Sequence, residues 1–163
     1  MRAVAVDLEA LGDSHALWRD FLADAARRYA SIAPLDPSAL PDDRAAAATE
    51  LDRWAAAGVG DWRAALGRFA ADRAPVYLRP SAEASSALRS LADAGVRLGV
   101  FTDAPEAFAR IALAHLGAAR RVEALECGQG ARERLVERLG GEAEVAASRD
   151  DLLRLAQDVS PSR

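Results

Sequence analysis

The 163-residue chain has a formal net charge of −4 and a hydrophobic fraction of 51%, which predict one globular domain, with room for a small subdomain. All 21 basic residues are arginines interspersed with acidic ones, and this pattern argues against a nucleic-acid-binding surface. The lone Cys127 excludes an internal disulfide and a cysteine-cluster zinc site, and no apolar run approaches the ~20 residues that cross a bilayer, so we expect a cytoplasmic protein without a membrane partner.

The first predicted element is a buried strand that ends in acidic residues. The apolar run Val4 to Val6 stops at Asp7, and Glu9 and Asp13 follow within a few residues. A near-continuous apolar run is typical of a parallel strand that is covered on both faces. Because ligands of open parallel sheets bind beyond the carboxyl ends of the strands, Asp7 stands at the expected position of a site.

Residues 14–79 carry only helical patterns. Apolar residues recur at helical spacing, and prolines and paired glycines separate the segments. We therefore predict an all-helical insertion, followed by a connector over 75–80. Its predicted helices run from Asp13 or Ser14 to Ala30, from Asp42 to Ala57 and from Asp61 to Ala74.

The aromatic residues of this region have more than one interpretation. At helical spacing they are typical of a hydrophobic core, but they could also line a substrate pocket above Asp7 or form a dimer face. The residues concerned are Trp18, Tyr29, Trp54 and Trp62.

From Ser81 onward, helices and strands alternate with short connections. This alternation predicts a parallel sheet with right-handed crossovers. Strands are predicted at 97–101, 122–125 and 144–147, and helices at 81–94, 105–116, 131–139 and 149–157.

Four stretches that lie at or after the predicted strand ends carry polar side chains in a familiar order. They read DLEALGDS after the first strand, VFTDAP at the second, ECGQGARERLVERLG after the third and VAASRDDL at the fourth. In this layout the chain resembles the haloacid dehalogenase (HAD) superfamily, which consists mainly of phosphatases with a helical cap. The resemblance covers nearly the whole chain, but its motifs are kept unequally.

The resemblance implies an α/β fold with a Rossmann-like core. It implies a short parallel sheet of about four strands in the order 4-1-2-3, with helices on both faces and an inserted helical cap. The implied core comprises 1–13 and 80–158, the cap 14–79, and a tail 159–163.

The first two motifs imply catalytic and phosphate-binding roles, although the first matches imperfectly and the second is the best kept. Asp7 matches the nucleophile that attacks phosphorus, and Glu9 stands where family phosphatases have an aspartate that protonates the leaving oxygen. The Thr102 hydroxyl and the backbone N–H groups from Asp103 onward suit the oxygens of a phosphorylated small molecule. Alternatively, Thr102 and Asp103 simply cap a helix.

The motifs after the third predicted strand and at the fourth lack residues that the family has there. There is no lysine after the third strand, so Arg132 or Arg134 is the candidate cation, and we favour Arg132. Magnesium would be held by Asp7, Glu9 and Asp151, but Ala147 replaces one family carboxylate.

Two main hypotheses follow from these departures, and a halogen-releasing relative that needs no metal is a third, weaker option. The first is a degenerate HAD-like protein with weak or lost phosphatase activity that binds a phosphorylated small molecule or a partner. The second is an active Mg²⁺-dependent small-molecule phosphatase that forms an aspartyl-phosphate on Asp7. The sequence does not indicate an oligomeric state.

Overall fold

The structure, a computed structural model, describes residues 1–159, so all of the predicted tail except Val159 lies outside it. Four strands are present in this part of the chain: β1 Ala3–Asp7, β2 Arg97–Thr102, β3 Ala124–Cys127 and β4 Glu144–Ala146. The helices are α1 Leu8–Leu11, α2 His15–Arg28, α3 Arg44–Ala55, α4 Trp62–Tyr77, α5 Ala82–Asp93, α6 Glu106–His115, α7 Ala131–Arg138 and α8 Arg149–Val159, with a 3-10 turn at Pro37–Ala39.

The four strands form one parallel sheet in the order β3-β2-β1-β4, which is 4-1-2-3 when read from the opposite edge. The central strand β1 pairs with β2 from Ala3 opposite Arg97 to Asp7 opposite Phe101. β4 borders β1 on its other side, and β3 borders β2. The prediction of a parallel sheet in an α/β fold is thus confirmed, and Asp7 and Thr102 end neighbouring strands.

Helices cover both faces of the sheet, as expected. Val4 and Val6 of β1 belong to the larger hydrophobic cluster, whereas Ala3 and Ala5 belong to a smaller one beneath α7. The α7 helix packs closely on Gly99 of β2, because a Cβ there would lie 2.5 Å from Leu135 Cδ1 and the buried leucine side chain would have to shift.

The helical insertion shares the larger hydrophobic cluster with the rest of the chain. Trp18 of α2 packs edge-on against Phe108 of α6, with ring centroids 6.0 Å apart. Gly67 of α4 faces Ala107 of α6, where an added Cβ would lie 3.8 Å from the alanine Cβ. Trp18 and Trp62 are buried, which confirms the core interpretation for these two aromatic residues.

Several element boundaries differ from those predicted from the sequence. The short helix α1 occupies the turn after β1, because the Asp7 carboxylate caps it by accepting the Glu9 N–H at 2.9 Å. The predicted connector at 75–80 begins late: α4 continues through Pro75 to Tyr77, and its last turn is held by the Tyr77 hydroxyl, which donates to Asp20 at 2.6 Å. β3 begins at Ala124 rather than 122.

None of the helices within residues 1–159 combines the length and the apolar character that crossing a membrane requires.

Candidate functional site

A cleft of about 280 Å³ opens at the carboxyl edge of the sheet. It lies where β1 and β2 end, beside the start of α7, as the topology predicts. Of the residues predicted to form a site, it brings together Asp7, Glu9, Thr102, Asp103 and Arg132, and Asp151 is not among its lining residues. His15 and Arg44 also line it.

The Asp7 carboxylate is half-buried at the end of β1 and has little to compensate its charge. Oδ1 accepts the Glu9 N–H, and within residues 1–159 the carboxylate has no other hydrogen bond. Burial raises the pKa of Asp7, and the nearby Glu9 and Asp103 carboxylates raise it further, whereas the Glu9 N–H and the Arg44 charge lower it. Asp7 is therefore a carboxyl group that faces the cleft and binds its proton more tightly than a free aspartate.

Both carboxylate oxygens of Glu9 are engaged. Oε1 accepts from the Ser14 hydroxyl and, at 3.0 Å, from Arg44 Nη2. Oε2 accepts the Ser14 N–H at 3.0 Å and lies 3.2 Å from His15 Nδ1. A general acid needs a proton at a free oxygen within reach of the leaving group. Glu9 instead acts here as an acceptor that orders the turn between α1 and α2.

Arg44 is the centre of this arrangement, and its side chain is only 1% exposed. It is the first residue of α3, so it reaches the sheet edge from the helical insertion. Its backbone N–H and Nε donate to the two Asp103 carboxylate oxygens at 2.9 and 2.8 Å. Nη1 donates to Ser14 Oγ at 2.7 Å, and Nη2 reaches Glu9 Oε1 and, at 3.3 Å, Thr102 Oγ1.

The guanidinium also lies over the Phe108 ring, with Cζ 5.7 Å from the centroid. An arginine can satisfy this many acceptors because its donors form a planar fork. We name the set Arg44, Glu9, Ser14, Thr102 and Asp103 the arginine cluster. It joins the insertion to the ends of β1 and β2.

Arg44 was not among the site residues predicted from the sequence. A cation in the first turn of a helix is opposed by the helix dipole. An arginine there gains from an acidic partner elsewhere in the fold, but Arg132 in the first turn of α7 has no such partner within residues 1–159, so the position alone does not identify Arg44. Its acidic partners, Glu9 and Asp103, lie 35 and 59 residues away along the chain, so no local pattern identifies them.

Thr102 is almost fully buried at the end of β2. Its Oγ1 accepts the Ala104 N–H at 3.2 Å and an Arg44 N–H at 3.3 Å. Two acceptor sites are thereby occupied, and one O–H donor remains. The alternative interpretation, in which Thr102 and Asp103 cap α6, is wrong, because Pro105 is the N-cap of that helix and no side chain caps it; the Ala104 contact lies in the turn before the helix.

The two candidate cations after β3 occupy different positions. Arg132 is exposed and lines the cleft, and within residues 1–159 it has no hydrogen bond or ion pair. Arg134 binds the Glu126 carboxylate and the carbonyl oxygens of Cys127 and Gln129, so it is a structural residue of the β3–α7 turn. Of the two arginines, only Arg132 lines the cleft.

Asp151 holds the start of α8 instead of facing Asp7. Its Oδ2 accepts the N–H groups of Ala147 and Ser148, both at 3.2 Å, and the Ser148 hydroxyl at 3.0 Å. These donors lower the pKa of Asp151. Arg149 donates at 3.0 Å to the Leu11 carbonyl, which closes the turn after α1.

The donor set does not fit the predicted magnesium site. Magnesium needs several oxygen ligands in octahedral geometry, usually including carboxylates. Glu9 is already occupied by Arg44, Ala147 offers no carboxylate, and Asp151 does not line the cleft. Another group, Glu9, Asp13 and His15, places three potential ligand atoms within 4.8 Å of one another at the rim.

A second, larger cleft of about 490 Å³ adjoins the first and shares Asp103 and Gly128 with it. It runs between α3 of the insertion and the β2–α6 turn. Asp52, Arg63 and Cys127 also line it. Burial raises the pKa of the Cys127 thiol to about 11, so this thiol is not an activated nucleophile.

Comparisons of the chain with protein-family models, with curated proteins and with solved structures find no match.

Proposed function

We propose that the chain is a HAD-like protein with weak or lost phosphatase activity, which uses the cleft to bind a phosphorylated small molecule. The observation that carries this proposal is the contact between Arg44 Nη2 and Glu9 Oε1 at 3.0 Å inside the buried arginine cluster. It commits the acid/base candidate to a structural ion pair.

Phosphoryl transfer depends on positioning and on neutralising the charge that develops on the transferred group. Asp7 is present, but the only buried cation of the described cleft is already neutralised by Glu9 and Asp103. When bound, a magnesium ion would supply Lewis-acid stabilisation of that charge. The residues present do not form its site, and we derive no step through it.

One end of the cleft favours the binding of a phosphate ester. Arg132 offers an unpaired guanidinium there, and no side chain caps the N-terminus of α7, which begins next to Gly130. Backbone N–H groups at a helix N-terminus and an arginine both favour phosphate oxygens. Asp7 and Glu9 disfavour an anion at the opposite end. We therefore expect the phosphate at the α7 side.

The second candidate is an active Mg²⁺-dependent phosphatase, and one observation favours it. The Asp7 carboxylate faces the cleft with an oxygen that accepts no hydrogen bond within residues 1–159. A nucleophile needs such a free oxygen for attack on phosphorus. This function would require Arg44 to leave Glu9 during the reaction.

Hydrolysis of p-nitrophenyl phosphate and of a panel of sugar phosphates, with and without Mg²⁺, tests the choice. We expect the wild-type protein to hydrolyse these substrates no faster than Asp7→Asn does. Robust Mg²⁺-dependent turnover that Asp7→Asn abolishes would replace the proposal by the second candidate.

Binding is tested separately by calorimetric titration with p-nitrophenyl phosphate. Arg132→Ala should weaken binding by about tenfold, the loss expected for one charge-assisted contact. Arg138→Ala is the matched control, because it removes the same charge from the same helix at a residue outside the cleft. Equal effects of the two variants, or no binding by the wild-type protein, would refute the proposed phosphate site.

A further inference from the structure

The second cleft continues the cleft that we propose to bind phosphate. The two share Asp103 and Gly128, and a Cβ at Gly128 would meet no atom within 4 Å beyond its neighbours along the chain, so the junction at this glycine is open. The second cleft is also the larger, with about 490 Å³ against about 280 Å³. A phosphate ester held at the start of α7 therefore has room for its organic part there.

The ionised side chains that line the second cleft within residues 1–159 all have partners of opposite charge. The pairs are Asp52 with Arg63, Asp103 with Arg44, and Glu106 with Arg110. A charged organic group placed there would lose hydration without gaining an unpaired counter-charge. The cleft therefore favours an uncharged group.

The second cleft also lacks an aromatic surface for a planar ring. None of its lining residues within residues 1–159 is aromatic. The nearby Trp62 ring is covered by Arg63, whose Cζ lies 4.5 Å from the ring centroid, and the indole N–H donates to Asp52 at 2.9 Å. A heteroaromatic group such as a nucleobase would thus find no aromatic stacking partner in this cleft.

Two polar side chains of the second cleft are unpaired. Thr49 of α3 and Gln129 of the turn before α7 make no side-chain hydrogen bond within residues 1–159. A threonine hydroxyl and a glutamine amide each donate and accept, as the hydroxyl groups of a ligand do. Ala45, Ala48 and Ala104 also line the cleft and offer apolar contact to carbon atoms. These groups together match a carbon chain that carries hydroxyl groups.

We propose that the second cleft binds an uncharged, hydroxyl-rich group, so that the ligand of this chain is a polyol phosphate or sugar phosphate. Its hydroxyl groups bind Thr49, Gln129 and the N–H groups of Arg63 that Asp52 does not engage. The phosphate end of this ligand rests on the proposed function. The assignment of the second cleft rests on its own residues.

Calorimetric titration of the wild-type protein compares sorbitol 6-phosphate with inorganic phosphate, p-nitrophenyl phosphate and O-phosphoethanolamine. All four carry phosphate, but only sorbitol 6-phosphate adds an uncharged chain of hydroxyl groups. We expect it to bind at least about tenfold more tightly than each of the others, the gain from two or three neutral hydrogen bonds. Thr49→Val removes one hydroxyl and should weaken this binding by about fivefold, while the affinity for inorganic phosphate stays unchanged.

Two variants serve as controls. Ser86→Ala removes an exposed helical hydroxyl that also makes no hydrogen bond within residues 1–159, but lies outside both clefts, and it should change neither affinity. Arg132→Ala should weaken the binding of both sorbitol 6-phosphate and inorganic phosphate, because it removes the proposed phosphate contact.

The outcomes separate this proposal from the proposed function. Binding of inorganic phosphate without a preference for sorbitol 6-phosphate would overturn the polyol assignment and leave the phosphate site in place. The same holds for tighter binding of p-nitrophenyl phosphate or O-phosphoethanolamine, and for a preference that survives in both Thr49→Val and Gln129→Ala. If the wild-type protein binds none of the four ligands, the phosphate site is refuted and the polyol assignment with it.

Discussion

Replacing Asp103 with asparagine tests whether the arginine cluster stabilises the fold. The Asp103 carboxylate receives two N–H groups of Arg44, at 2.9 and 2.8 Å, and its partner side chain is almost fully buried. In Asp103→Asn one acceptor oxygen becomes an N–H₂ donor that faces another donor. Hydrogen bonds that involve charged groups contribute about 1.5–3 kcal/mol each.

The expected loss is near the middle of that range. The Asp103 side chain is 30% exposed, so water replaces part of the lost contact. We therefore expect the free energy of unfolding to fall by about 2 kcal/mol. In a domain of this size that corresponds to a decrease of roughly 4–8 °C in melting temperature.

Urea unfolding followed by tryptophan fluorescence measures this change. Asp13→Asn is the matched control, because Asp13 is 73% exposed at the rim of the same turn and its asparagine can still accept the His15 N–H. A loss in Asp103→Asn no larger than in Asp13→Asn would refute the reasoning. The double variant Asp103→Asn with Arg44→Met should lose less than the sum of the two single losses, because the buried guanidinium that Asp103→Asn leaves underpaired is then absent, and so is the Asp103 charge that Arg44→Met leaves unpaired.

Three other predictions concern single positions. Gly99→Ala should lower the free energy of unfolding by about 1–3 kcal/mol, because its Cβ would lie 2.5 Å from Leu135 Cδ1. Urea unfolding measures this loss, and an unchanged midpoint would contradict the close packing of α7. Asp7→Asn should be more stable than the wild-type protein at pH 7. Burial raises the Asp7 pKa in the folded state, so ionisation there costs stability as the pH rises above the unfolded pKa of about 3.9. The advantage should vanish at lower pH, and a gain that is constant with pH would exclude this cause. The Cys127 thiol, with a pKa of about 11, should react slowly with iodoacetamide at neutral pH. Mass spectrometry should show that its alkylation in the folded protein is at least about tenfold slower than in the urea-unfolded protein.

The parallel sheet could be predicted from the sequence because each strand is signalled locally. β1 and β2 are apolar runs that end in polar residues, and helical spacing fills the segments between strands. Boundaries were less accurate where tertiary contacts override local preference. Pro75 predicts the end of a helix, yet α4 continues to Tyr77, whose hydroxyl is held by Asp20.

Several residues of the candidate site were predicted from the sequence, but the ion pairs and hydrogen bonds between them were not. Asp7, Thr102 and Arg132 line the cleft because parallel strands bring their carboxyl ends to one edge. Arg44 was missed because its acidic partners come from distant segments. Asp151 was predicted beside Asp7, but it caps α8, because the turn before that helix offers it three nearer donors. Sequence spacing indicated which residues approach the sheet edge, and the ion pairs determined how they are used.

The packing of α4 against α6 bears on how this chain could be shortened. Gly67 of α4 faces Ala107 of α6, and the Trp18 ring packs edge-on against Phe108 of the same helix. A deletion variant that lacks residues 14–79 would expose this face of α6 to water, although all four described strands would remain. We expect such a deletion to aggregate instead of folding into a smaller domain. The helical segment shares one hydrophobic cluster with the sheet, so we expect a truncation series to find no stable fragment without it.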